Sequence, residues 1–192
     1  FEESARRPHL EKLAAFRDFY NRFYAAEPGV AAPRAAAPGQ ATARAEVLDV
    51  AGVSLGILPL NSAWFAQDDS DAGKLFVGEA MVDAGLQVVR EATLRIALMH
   101  HPISDLSDLE RRLVQERLLG GCNFVLRGHL HDTEAHSVNA GYQQTLVLAA
   151  GASYQGRVPS LYQNRAMYIE VEVLPGNLQA SVRPYPIRYE LS

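Results

Sequence analysis

The sequence predicts an α/β fold, a layered α-β-β-α sandwich of two mixed sheets flanked by helices. Three observations carry this expectation. Apolar strands cluster at 47–60, 94–99 and 123–127, helical segments fall between them, and the C-terminal third is rich in strands. The 192 residues suit one domain and are enough to bury a sizeable core. Hydrophobic residues make up 48% and charged residues 21%, the balance of an ordinary soluble globular protein.

Taken in order, Leu10, Leu13, Phe16, Tyr20, Phe23 and Tyr24 recur at three- and four-residue steps and predict an amphipathic helix over 8–25. Residues 26–43 hold three prolines, two glycines and many alanines, which reads as a flexible surface loop. Glu46-Val47-Leu48-Asp49-Val50, an Ala51-Gly52 turn and the apolar run Val53 to Leu60 predict a hairpin whose second strand is covered on both faces. Gln67 to Gly73 is a polar loop, and helical spacing returns at 79–91. A strand at 94–99, a helix near 107–119 and a strand at 124–127 follow. Further strands are expected at 133–138, 144–150, 165–173 and 177–184. Residues 166–173 alternate apolar and charged side chains, so that strand should have one wet face and pair within one of the sheets.

The formal net charge of −4 gives the chain no basic surface to steer it onto nucleic acid or anionic lipid. A nucleotide substrate stays open, because divalent metals can supply positive charge locally. The one cysteine, Cys122, lies in an apolar run and reads as a small core hydrophobe. It cannot form an internal disulfide. Neither a run of the roughly 18–20 apolar residues that crosses a bilayer nor a charged-then-apolar leader occurs. A cytoplasmic protein without membrane association is expected. The chain opens Phe1-Glu2-Glu3-Ser4 with no initiator Met, which leads us to expect that it lacks the natural N-terminus.

The chemistry concentrates in four of the six histidines, which form two pairs directly after apolar strands. One is Met99-His100-His101-Pro102, the other Arg127-Gly128-His129-Leu130-His131-Asp132. Strand ends that deliver polar side chains into loops are where α/β proteins build sites. His129 and His131, two apart in extended geometry, project the same way and can reach two neighbouring metals. Imidazole suits Zn, Fe, Mn and related ions. His9 and His136 read as ordinary polar residues. On spacing alone a metal site and a non-metal loop are equally supported.

Leu98-Met99-His100-His101-Pro102, followed about thirty residues later by Gly128-His129-Leu130-His131, resembles the last two motifs of the calcineurin-like metallophosphoesterases. Leu60-Asn61-Ser62 and Ala149-Ala150-Gly151-Ala152 agree with the flanking text of that family. The resemblance covers most of 45–155 and implies that residues 1–192 are the C-terminal part of a single metallophosphoesterase domain. It further implies two divalent ions of the Mn, Fe or Zn class and hydrolysis of a phosphomonoester or phosphodiester by metal-activated hydroxide. His100 and His129 are expected to ligate one metal and His131 the other. His101 is expected to back a ligand or face the substrate, as the catalytic residue. Asp132 reads either as the acceptor of an imidazole N–H or as a solvated loop residue. For Arg127, a strand-end salt bridge is expected over a contact to phosphate.

The family's earlier motifs (Asp-x-His, Gly-Asp with a further Asp, and Gly-Asn-His-Asp/Glu) are absent from the sequence. The resemblance places them upstream of Phe1. The expectation that follows is incomplete metal binding by this chain alone, with exposed edges filled by a second copy or a separate upstream chain. A phosphoester small molecule or nucleotide is the expected substrate, and the acidic balance gives nucleic acid no support. Two other readings compete: a non-catalytic scaffold or partner-binding module, and a mononuclear zinc hydrolase using His100, His129 and His131.

Overall fold

A computed structural model describes residues 11, 13–26, 45–68, 70–130, 134–140, 143–151, 165–174 and 180–188. The elements are α1 (Ala14–Ala26), β1 (Glu46–Val50), β2 (Val53–Pro59), α2 (Glu79–Val89), β3 (Leu94–Met99), a 3-10 turn (Ile103–Asp105), α3 (Arg111–Gly121), β4 (Phe124–Arg127), β5 (Glu134–Ala140), β6 (Gln143–Ala149), β7 (Arg165–Val173) and β8 (Ala180–Arg188). The class is the expected α/β: a six-stranded mixed sheet in the order β1-β2-β3-β4-β6-β5, flanked by helices. The first residues of the predicted first helix lie outside the described residues, as do His9, His131 and Asp132; of the loop predicted over 26–43 only Ala26 is described, and it ends α1 as part of the helix.

The hairpin forms where Ala51 and Gly52 both take positive φ, 54° and 83°, the handedness that matches twisted antiparallel strands. Asp49 Oδ1 accepts the Gly52 N–H at 3.1 Å and closes the turn. From β2 on, the strands β2, β3, β4 and β6 run parallel, so their C-terminal ends lie along one edge of the sheet. The outer strands β1 and β5 are antiparallel to their neighbours. β1 lies at the edge of the sheet and is exposed along its whole length.

The crossover helices α2 and α3 touch each other and cover one face, α2 over β1 and β2, α3 over β5 and β6. Leu58, Ala97, Met99, Val125 and Val147 point from the sheet into this layer and meet Val82, Val114, Leu118 and Leu119. Cys122 closes α3 within the same core, and burial pushes its thiol up to about 12, so it is a hydrophobe as expected. At Gly56 a Cβ would stand 2.7 Å from Cβ of Val89 and 3.0 Å from Cβ of Ala92, so the missing side chain sets how closely α2 approaches β2.

β7 pairs with β8 in a separate two-stranded sheet instead of extending the six-stranded one. The predicted alternation on β7 is present: Tyr168, Glu170 and Glu172 are exposed while Ile169, Val171 and Val173 are half-buried. The predicted helix over 107–119 begins later, at Arg111, because 103–105 form the 3-10 turn and Ser107 opens a turn whose carbonyl accepts from Glu110 and Arg111.

Candidate metal centre

Three adjacent parallel strands deliver the polar groups of the site. β2 runs out into Leu60-Asn61-Ser62, β3 into His100-His101 and β4 into Gly128-His129. A parallel sheet puts such ends side by side, which is why two motifs 29 residues apart in sequence share a hydrogen bond. The backbones are fastened too: the Gly128 N–H donates to the His100 carbonyl at 3.1 Å, and the Leu60 N–H to the Leu98 carbonyl at 2.8 Å.

His129 carries a positive φ of 74°, and the Leu130 N–H donates to the Gly128 carbonyl at 3.0 Å, which makes the segment a tight three-residue turn centred on His129. An L-residue held there is strained, and such strain persists where the surroundings over-determine the conformation. The turn aims the His129 ring at His100: Nδ1 of His129 lies 3.3 Å from Nε2 of His100. The ring centroids are 5.1 Å apart for that pair, 4.8 Å for His100 and His101, and 4.5 Å for His101 and His129. Each ring offers one nitrogen such that all three atoms fall within 4.8 Å of one another.

His101 is buried, whereas His100 and His129 are exposed. Ser62 Oγ lies 2.7 Å from its Nδ1 and accepts the His101 backbone N–H at 3.2 Å, so one hydroxyl fixes both the ring and the chain. Burial, and then the neighbouring His129 and His100, lower the His101 pKa from 6.5 to about 4, against the opposing pull of the Asp105 and Asp71 carboxylates. The ring is therefore neutral at pH 7.

Sequence reasoning paired His100 with His129, and the structure brings them together. His101 joins the same cluster, although it was expected only to back a ligand or face a substrate. His136 sits on β5, with Nδ1 2.9 Å from Glu134 Oε1, and is not among the three clustered rings. Arg127 forms the expected strand-end ion pair, with Glu134. Two groups were missed. Ser62 was noted only as text flanking the motifs, although its place at the end of an apolar parallel strand was a usable signal. Asp105 went unnoticed five residues after His100. Its Oδ2 stands 3.9 Å from Nε2 of His129.

No protein-family model, no curated protein and no solved structure matches the chain. The donor set speaks for itself. Three imidazoles, one held neutral, with two carboxylates in electrostatic reach, suit a borderline divalent cation. Two nitrogens sharing one tetrahedral Zn at about 2.0–2.1 Å lie roughly 3.4 Å apart. The 3.3 Å between His129 Nδ1 and His100 Nε2 fits that edge.

Proposed function

We propose that this chain is the C-terminal part of a calcineurin-like metallophosphoesterase domain, acting as a metal-dependent phosphoester hydrolase. The observation that carries the reading is the pairing of His129 Nδ1 with His100 Nε2 at 3.3 Å across the ends of two parallel strands. His100 and His129 hold one divalent ion, and His131 belongs to the second ion of a binuclear Mn, Fe or Zn centre. Divalent ions bound there supply Lewis-acid activation of water and charge neutralisation at phosphate.

The chain's own residues shape the rest. His101 is neutral and held at Nδ1 by Ser62, which leaves its Nε2 as the nitrogen for substrate. The strained turn at His129 holds its ring in place before any ligand arrives. Asp105 and Asp71 add negative potential that favours a cation. The substrate is a phosphoester small molecule or nucleotide.

A layered sandwich is the architecture that accompanies this function. The sheet face away from α2 and α3 carries Leu55, Ile57, Ile96, Leu98, Phe124, Leu126, Leu146 and Leu148, an apolar surface suited to a second sheet. Phe124 and Leu148 on it are 3% and 2% exposed. The reading also takes the chain to be cytoplasmic. Among the described residues no helix is long and apolar enough to cross a membrane.

One observation favours a second reading, a mononuclear site. His100, His101 and His129 by themselves place three donor atoms within 4.8 Å of one another. Metal stoichiometry separates the two. The proposed function is tested by turnover of bis-p-nitrophenyl phosphate and p-nitrophenyl phosphate with Mn, for this chain and for a protein that adds the upstream motifs. Turnover that needs the metal, is faster with those motifs, and is lost in H100A and H129A is expected. Turnover indifferent to chelation and to both substitutions overturns it.

A further inference from the structure

We propose that Asp105 is a positioning residue for the metal site: the negative charge of its carboxylate, facing Nε2 of His129, favours the proton on that nitrogen, so that Nδ1 of His129 is the metal donor. This rests on the metal-site reading above and adds a residue that the motifs do not include.

His129 has two ring nitrogens, and the structure gives each a distinct neighbour. Nδ1 faces Nε2 of His100 at 3.3 Å, while Nε2 faces Oδ2 of Asp105 at 3.9 Å. A neutral imidazole carries one proton, and the hydrogen bond at one nitrogen decides which nitrogen keeps its lone pair. At 3.9 Å the Asp105 carboxylate is beyond direct hydrogen-bond distance, and it favours the proton on Nε2 through its charge. The ring then offers Nδ1 toward His100, and the same carboxylate makes that nitrogen a stronger base.

Asp105 is built for a fixed role. It ends the 3-10 turn that follows His100-His101-Pro102, and its side chain is only 15% exposed. Its carbonyl accepts the N–H groups of Gly73 at 2.9 Å and Leu75 at 3.2 Å, and the Ser107 N–H returns to the Leu75 carbonyl at 2.8 Å. Leu75 and Leu106, both fully buried, form a parallel bridge beside it. The 70–77 segment is itself held by the Glu110 carboxylate, which accepts from Val77 at 2.7 Å and Gly78 at 3.0 Å. Ser104 Oγ donates to Oδ1 of Asp105 at 3.2 Å, which leaves Oδ2 to His129. All the anchors that place the Asp105 backbone are main-chain bonds, so replacing its side chain leaves them in place.

The test compares wild type, D105N and D105A in two measurements. Nitrogen-15 NMR of the metal-free protein reads the His129 tautomer, and calorimetric titration with Zn reads affinity. Wild type should show the Nε2–H tautomer, and both variants should lose its dominance. Zn affinity should fall about ten- to a hundredfold, more in D105A than in D105N, at unchanged stoichiometry. An unchanged tautomer together with Zn affinity within about twofold of wild type overturns the role of Asp105, while loss of Zn binding in H129A keeps the metal-site reading standing. Absence of Zn binding by the wild type overturns both.

Discussion

Nδ1 of His129 stands 3.3 Å from Nε2 of His100, and the residue that brings it there holds a backbone conformation that L-residues avoid. The strain at φ 74° has a measurable signature. Alanine at 129 keeps the steric conflict and glycine relieves it, so H129G should be more stable than H129A by about 1 kcal/mol. Urea unfolding of the two variants measures this. An alanine variant as stable as the glycine variant would show that the turn is unstrained.

The second prediction concerns pH. His101 titrates at 6.5 when exposed and at about 4 in the fold, so the unfolded chain binds more protons between those values. This contribution is fully present above pH 6.5, is lost as pH falls toward 4, and changes no further below that. The melting temperature of metal-free protein should therefore drop across this window, and H101Q should show a shallower drop. Identical slopes for the two proteins would remove His101 as the cause.

Ser62 serves two hydrogen bonds in a buried position. In S62A both the His101 ring nitrogen and its backbone N–H lose their partner, and a buried unsatisfied group costs about 1–3 kcal/mol. We expect a loss of that size in denaturant unfolding. A change below about 0.5 kcal/mol, typical of an unremarkable surface substitution, would mean that water replaces the hydroxyl.

Two glycines give opposite outcomes. At Gly56 an added methyl meets Val89 and Ala92 backbone-proximal carbons, which move only if α2 moves, so G56A should destabilise by about 1–3 kcal/mol. Gly120 lies in α3 with nothing within 4 Å of an added Cβ, so G120A should stabilise by about 0.5–1 kcal/mol through helix propensity. Thermal melts of both check the packing of the helix layer, and a G56A protein as stable as wild type would contradict it.

Much of the fold was legible because the signals were local. The Ala51-Gly52 turn, the apolar runs of β2, β3 and β4 and the alternation of β7 each follow from short-range pattern. The start of α3 was misplaced by four residues because Ser107 to Glu110 form a turn governed by the tertiary bridge between Leu75 and Leu106. His100 and His129 were legible as strand-end pairs. Ser62 and Asp105 were not singled out as site residues, since their roles depend on contacts 39 and 24 positions away, which no local periodicity reports. β7 and β8 show the same limit. Their strand character was plain, but their pairing with each other in a separate sheet was a matter of topology.

The central claim is that His100 and His129 share a divalent ion. Calorimetric titration of Zn and Mn into wild type, H100A, H129A and H136A measures it most directly. The account predicts binding in wild type and H136A, and loss of at least about a hundredfold in affinity in H100A and H129A, because each removes one donor of the 3.3 Å pair. Equal affinity in all four proteins, or no binding by the wild type, would contradict it.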